Sequence, residues 1–231
     1  MQAAMKGRAK LPKYSVPVWL RLRRSILRGF FRQVFHVLCH IEINGLGNIP
    51  KDGAYIIAHN HISLFEPPLV LAFWPEHPES IAGADVFHRP GQKVLVRAYR
   101  AIPVRRGEYD RKVIDVMMNV LESGRALVIA PEGGRSHETA LRRAQAGVAY
   151  IVDRAKVPVV PVGISGTTDD MLSRALRGGR PHLTMNIGEA FSPPAIIGRG
   201  EDRRVARQRN ADIVMEHIAA LIPEDYRGLY R

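Results

Sequence analysis

Six short apolar runs, at 54–58, 80–84, 101–104, 126–130, 158–163 and 182–187, alternate along the chain with segments of helical periodicity. The helices are predicted at 67–74, 91–99, 109–123, 142–155 and 201–221. The clearest of them carries Val113, Val116, Met117, Val120 and Leu121 on one face. Such alternation leaves few solutions, because a strand between two helices buries both of its faces. An α/β fold is predicted, with a mostly parallel central sheet flanked by helices. In sheets of this kind, sites gather in the loops beyond the carboxyl ends of the strands. Three loaded loops leave that edge here: His61 and Glu66 follow 54–58, Arg105 and Arg106 follow 101–104, and Glu132 and Arg135 follow 126–130.

Ahead of this pattern the chain changes character. Residues 1–15 are basic, with Lys6, Arg8, Lys10 and Lys13, and read as a flexible arm. From Val16 to about Ile41 the period becomes helical, with Trp19, Leu22, Leu27, Phe30, Phe31, Val34, Phe35 and Leu38 spaced by threes and fours. Arg21, Arg24, Arg28 and Arg32 repeat opposite them. Two compatible readings follow: a helix packed on the domain with a solvated basic face, and an interfacial helix lying on anionic lipid. A boundary at 44/45 divides arm and amphipathic membrane-surface helix, 1–44, from the α/β domain, 45–231.

A formal net charge of +12 points to an anionic partner: nucleic acid, an anionic membrane surface or a phosphorylated substrate. Nucleic acid fits poorly, since aromatics make up only 7% and cluster in the N-terminal helix. No stretch reaches the roughly 18 to 20 apolar residues that span a bilayer. The basic N-terminus lacks a signal peptide's apolar centre and cleavage pattern. The single cysteine, Cys39, leaves no intramolecular disulfide or multi-cysteine metal site.

The loop "AHNHISLFEPP" at 58–68 sets two histidines and a carboxylate between buried segments. On one regular helix His61 and Glu66 would be rotated roughly 140° apart and could not meet. They meet if His61 ends a strand-to-helix loop and Glu66 sits at the helix mouth. Pro67 favours that arrangement, being suited to the first helical position and pushing its predecessor out of helical geometry. A carboxylate on one ring nitrogen fixes the tautomer and makes the other nitrogen a general base. Taken alone the pair reads more readily as a polar loop residue and a carboxylate complementing the helix dipole. His59 and His61 as a metal pair find no further ligands at supporting spacing.

The other two loops suit an anion. Arginine forks recognise phosphate bidentately, and Gly133 and Gly134 let backbone N–H groups approach a ligand closely. Four segments in order, "NHISLFEPP", "AIPVRRG", "APEGGRS" and "VPVVPVGI", resemble the four motif blocks of the glycerolipid acyltransferases, above all the bacterial 1-acylglycerol-3-phosphate (lysophosphatidate) acyltransferases. The resemblance runs from about residue 40 to the end, where "LIPEDYRGLY" is also similar. It implies that His61 and Glu66 are catalytic and activate the acceptor hydroxyl against an acyl thioester. It also implies that Arg106 and Arg135 hold the acceptor's phosphate, that Glu132 and Gly133 shape that pocket, and that Pro158, Val159 and Pro161 are structural or line the acyl-donor site.

Two departures stand out. The family pattern has aspartate where this chain has Glu66, a carboxylate arm one methylene longer. Ala130 and Gly134 replace the usual phenylalanine and threonine of the third block. Acyl transfer of this kind needs a base, alignment and oxyanion donors, but no metal or cofactor. The implied partners are an acyl-CoA or acyl-ACP donor, a lysophospholipid acceptor and an anionic membrane surface, with no nucleic acid. The implied location is the cytoplasmic face of the cell membrane, held peripherally.

Overall fold

The protein is described here from a computed structural model that covers residues 13–136 and 138–231. Of the expected flexible basic arm, residues 1–12 lie outside the described residues; of the remainder, Tyr14 is bonded to the domain, its N–H donating to Asn119 Oδ1 at 3.1 Å. The strands are β1 His40–Asn44, β2 Ile56–His59, β3 Glu79–Gly83, β4 Ile102–Val104, β5 Leu127–Ile129, β6 Val159–Ser165 and β7 His182–Ile187. The α-helices are α1 Val18–Leu38, α2 Glu66–Phe73, α3 Gln92–Tyr99, α4 Arg111–Glu122, α5 Gly147–Ala155, α6 Met171–Leu176 and α7 Gly200–Ala219. The strand order is β1-β7-β6-β2-β5-β3-β4. Every neighbouring pair is parallel except β6 with β7.

β2 sits in the middle, registered Ile56 to Leu127 on one side and Ile56 to Val159 on the other. Successive side chains of a strand face opposite ways, and the two halves of the core follow from that. Ile56 and Ala58 join Leu127, Ile129 and Val159 against α4, α5 and α7, where Met117, Val120, Ile151, Val214 and Met215 are buried. Tyr55 and Ile57 join Val128, Val160 and Val162 against α1 and α2, where Phe35, Leu69, Val70 and Trp74 are buried. All nine apolar side chains named along β2, β5 and β6 in this way are buried because helices cover both sheet faces.

Three elements differ from the sequence expectation. β1 lies inside the segment 1–44 assigned to the extension, yet pairs in parallel with β7 and is a strand of the sheet. Its alternation of exposed and half-buried positions, as an edge strand, hides it from a search for apolar runs. α5 begins at Gly147, not 142, because the chain before it is held in a loop: Arg142 N–H donates to Glu132, Leu141 N–H to the Tyr226 carbonyl and Gln145 N–H to the Pro131 carbonyl. α6 was not foreseen. α4 starts where Asp110 caps it, its carboxylate accepting from the N–H groups of Lys112 and Val113 at 2.9 and 3.3 Å.

α1 is apolar on two sides. Leu20 and Phe35 are buried against the domain, while Val18, Trp19, Leu22, Ile26, Phe30 and Val37 form an exposed row. The uniform solvated basic face expected for this helix breaks at Arg24, which is fully buried. Its guanidinium meets Glu79 of β3 with two bonds of 2.7 Å, donates to the Tyr99 carbonyl at 3.0 Å and lies over the Tyr99 ring. Arg125 and the Tyr14 hydroxyl also donate to Glu79, at 3.1 and 2.8 Å. An arginine in the buried row is tolerated because every charge around it has a partner.

Candidate active site

At the carboxyl end of β2 the chain is fastened before it reaches His61. The Asn60 amide bonds the backbone of β6 in both directions, donating to the Ile164 carbonyl at 2.8 Å and accepting from its N–H at 2.7 Å. His59 is buried, its Nδ1 2.7 Å from the Asn60 carbonyl. His61 then turns toward the surface with 15% of its side chain exposed, and its Nδ1 lies 3.1 Å from Glu66 Oε2. Glu66 is the first residue of α2, followed by Pro67 and Pro68, and is fully buried. The Ser63 N–H reaches both of its carboxylate oxygens, at 2.9 and 3.0 Å. The Ser63 hydroxyl donates to Oε1 at 3.0 Å, and so does the Thr167 hydroxyl from the β6–α6 loop. An ionised carboxylate only accepts, so Nδ1 carries the hydrogen and Nε2 keeps its lone pair for a reactant.

The β5 loop holds His61 from behind. Glu132 is buried and spends both oxygens on backbone, accepting from the His61 N–H at 2.7 Å and the Arg142 N–H at 2.9 Å. The Ser136 N–H donates to the His61 carbonyl at 2.7 Å. Gly133 has φ +69°, and a Cβ there would stand 2.7 Å from Gln145 Cγ, so the turn favours glycine. Two arginines border this loop. A Cβ on Gly134 would lie 3.8 Å from the Arg106 guanidinium carbon, which also packs over Gly83. Arg106 stands 3.6 Å from Asp85, and Arg135 bonds Asp169 at 3.0 Å. Arg105, by contrast, turns outward to Glu108.

The Acyltransferase family profile matches residues 40–165, more than half of the chain. The chain belongs to the Acyltransferase family. Among curated relatives, uncharacterized proteins of Mycobacterium bovis and Mycobacterium tuberculosis are 30% identical over 162 residues, 63% of this chain. The chain matches 42% of the length of those mycobacterial proteins. A lyso-ornithine lipid O-acyltransferase of Pseudomonas aeruginosa is 28% identical over 204 residues, 81% of this chain and 77% of that protein. The crystal structure of a 1-acyl-sn-glycerophosphate (LPA) acyltransferase, PlsC, from Thermotoga maritima has the same fold. Its TM-score is 0.59, with 24% identity over 84% of this chain and 78% of that one.

In this member of the family the residues singled out in the first three loops lie on the carboxyl edge of the sheet, whereas Pro158 and Val159 stand at the amino end of β6 and Pro161 lies inside that strand. His61 and Glu66 are in contact, Glu132 and Gly133 build the wall behind them, and Arg106 and Arg135 flank that wall. Sequence reasoning missed Thr167 and Asp169, which reach Glu66 and Arg135 from the loop after β6, and Asp85 beside Arg106. The same rule of strand ends would have found "SGTTDD", a fourth polar loop at that edge.

Two buried groups of the site titrate in opposite senses. Burial pushes the Glu132 carboxyl up to about 7, against the two N–H groups that it accepts from. The folded protein therefore holds a proton that the unfolded chain releases near pH 4.5. That contribution to stability is complete below about pH 4.5 and is lost as pH rises through about 7, by at most about 1.4 kcal/mol per pH unit. Burial, and then the neighbouring His61, drives the His59 imidazole down to about 3. The unfolded chain gains that proton below about pH 6.5, so stability falls toward acid. The two slopes oppose each other between about pH 4.5 and 6.5. In Glu132→Gln the melting temperature is expected to rise with pH across this window more steeply than in wild type. Parallel profiles for the two proteins would remove Glu132 from the account.

Proposed function

We propose that this acyltransferase moves a fatty acyl group from an acyl thioester, on CoA or acyl-carrier protein, to the free hydroxyl of lysophosphatidate, giving phosphatidate for phospholipid biosynthesis. The observation that carries the reading is the His61–Glu66 pair, with Nε2 left open, beside Arg106 and Arg135. His61 Nε2 takes the proton of the acceptor hydroxyl while its oxygen bonds the thioester carbonyl carbon. As the tetrahedral intermediate collapses, the C–S bond breaks and the thiolate leaves with the proton from the imidazolium. Glu66 stays ionised throughout and stabilises that imidazolium. Arg106 and Arg135 clamp the phosphate, so that the hydroxyl is aligned with the base. No acyl-enzyme is involved: Cys39 is buried among Phe35, Val70 and Trp74, and the Ser63 hydroxyl is spent on Glu66.

One feature favours a second acceptor. Asp85 and Asp169 stand beside the two arginines, and paired charges of both signs suit a zwitterionic headgroup as well as a phosphate. Ornithine, the headgroup named for the Pseudomonas relative, carries a carboxylate and an amine. Glycerol 3-phosphate and other lysolipids are further acceptors that the same chemistry would serve.

Docking follows from α1. Among the described residues no helix is long and apolar enough to cross a membrane. The exposed row of Trp19, Leu22, Ile26 and Phe30, with Arg23 over the Trp19 ring at 4.9 Å, supports a peripheral position on an anionic surface, and we propose that this surface is the cytoplasmic face. The extension then ends with α1, and the acyltransferase domain begins with β1.

Labelled acyl-CoA offered with lysophosphatidate, glycerol 3-phosphate, lyso-ornithine lipid or neutral lysolipids, with and without anionic vesicles, tests these readings together. Labelled phosphatidate is the expected product. Free fatty acid formed regardless of acceptor would make the protein a hydrolase, and lipid binding without any product would make it a non-catalytic member of the family. Arg135→Ala is expected to raise the KM for lysophosphatidate about tenfold, with kcat nearly unchanged. An unaltered KM takes Arg135 out of the phosphate clamp.

A further inference from the structure

Glu66 is held by more than the helix it begins. Its carboxylate faces His61 with Oε2 and presents Oε1 to the β6–α6 loop, where the Thr167 hydroxyl donates to it. Thr167 is 1% exposed, and a buried hydroxyl is costly unless bonded. Its position is fixed from outside the site. Gly166 has φ +87°, and a Cβ on it would stand 2.1 Å from the His182 carbonyl oxygen of β7, so the turn before Thr167 admits only glycine. The Gly166 N–H is tied to the Tyr226 hydroxyl at 3.2 Å. Two residues after Thr167, Asp169 meets Arg135. One rigid loop therefore touches both the brace of the base and the arginine at the acceptor side.

We propose that Thr167 is a positioning residue of the acyl-transfer site: its buried hydroxyl sets the Glu66 carboxylate in the one orientation that also reaches His61. Ser63 holds the carboxylate from within the same loop, its hydroxyl donating to Oε1 and its N–H reaching both oxygens, so among the described residues only Thr167 ties the group to a separate element of the fold. Thr167 adds the second hydroxyl donor on Oε1 and so fixes the tilt at which Oε2 meets the imidazole. The span also accounts for a glutamate at this position. Shortening the arm by one carbon–carbon bond, about 1.5 Å, withdraws the carboxylate from either Thr167 or His61. The inference rests on the proposed role of His61 as the base.

The test uses the full-length protein on anionic vesicles, with the acyl donor and the best acceptor from the panel above. Thr167→Val, which keeps the shape and removes the donor, is expected to lower kcat about tenfold and leave both KM values within about twofold. Thr167→Ser is expected to restore kcat to near wild type. Glu66→Asp should show a loss of similar size, and Thr167→Val added to it should cost less than a further twofold, because the carboxylate no longer joins Thr167 to His61 in either variant. A role confined to folding would instead lower the amount of native protein, give additive losses and leave kcat per folded molecule unchanged; that result, or a wild-type kcat in Thr167→Val, overturns the proposal. If Thr167→Val does not fold, the same cycle with Thr167→Ala decides. Imidazole 15N spectra of wild type and variant separate this failure from that of the enzymatic reading. An altered His61 tautomer balance in Thr167→Val supports the positioning role even if no acceptor is acylated, and an unchanged one removes it.

Discussion

His61→Ala is expected to lower kcat by at least about a hundredfold, the lower end of what a positioned general base contributes, while the protein remains folded. The second half of that expectation comes from the way the loop is built. The His61 side chain has Glu66 as its hydrogen-bond partner and is partly exposed. The loop itself is held by groups that the substitution leaves in place: the Asn60 amide on β6, and Glu132 and the Ser136 N–H on the His61 backbone. Glu66 keeps Ser63 and Thr167 when the imidazole is gone. Rate and stability should therefore separate, with the melting temperature moving by a few degrees at most. Steady-state kinetics beside a thermal melt on the same preparation checks both. A purified His61→Ala protein that works at the wild-type rate would end the general-base mechanism.

Arg24→Leu should have the largest effect on stability, a loss of about 3 to 5 kcal/mol. Among the described residues, the substitution leaves the fully buried Glu79 with only Arg125 and the Tyr14 hydroxyl, after removing its two shortest bonds. Glu79 is held below the usual carboxylate range because hydrogen bonds and charge from Arg24, with help from Tyr14 and Arg125, outweigh the opposing effect of burial. A carboxyl lowered in the folded state adds stability that is present above its unfolded value and lost as pH falls through the folded one. Wild type should accordingly lose stability below about pH 4.5, and Arg24→Leu should lose less over the same range. Urea unfolding at two pH values measures it. Replacing Arg24 and Glu79 together by leucine and methionine should recover most of the loss, since neither charge is then stranded. If the double variant is no better than Arg24→Leu, packing and not charge pairing holds α1 to β3.

The sheet was legible because its central strands are short apolar runs, buried on both faces, such as Ile56–His59 and Leu127–Ile129. β1 was not, since an edge strand with alternating exposure has too few apolar residues to stand out. The His61–Glu66 contact could be read from Pro67, which fixes where the helix begins. Arg24 was misplaced for the opposite reason. Periodicity assigns a charged residue to solvent, and only the position of Glu79, 55 residues away, shows that the charge is matched inside. Thr167 and Asp169 went unnoticed because a bond spanning 101 residues, such as Thr167 to Glu66, leaves no local pattern.

The two prolines after Glu66 do more than start a helix. A carboxylate at a helix mouth is ordinarily captured by the free amide hydrogens of the first turn, and Pro67 and Pro68 have none to give. The backbone of α2 thus cannot compete for the side chain of its own first residue. Glu66 is left to the hydroxyls and to the imidazole, and a shortage of donors at one helix end keeps a carboxylate against His61.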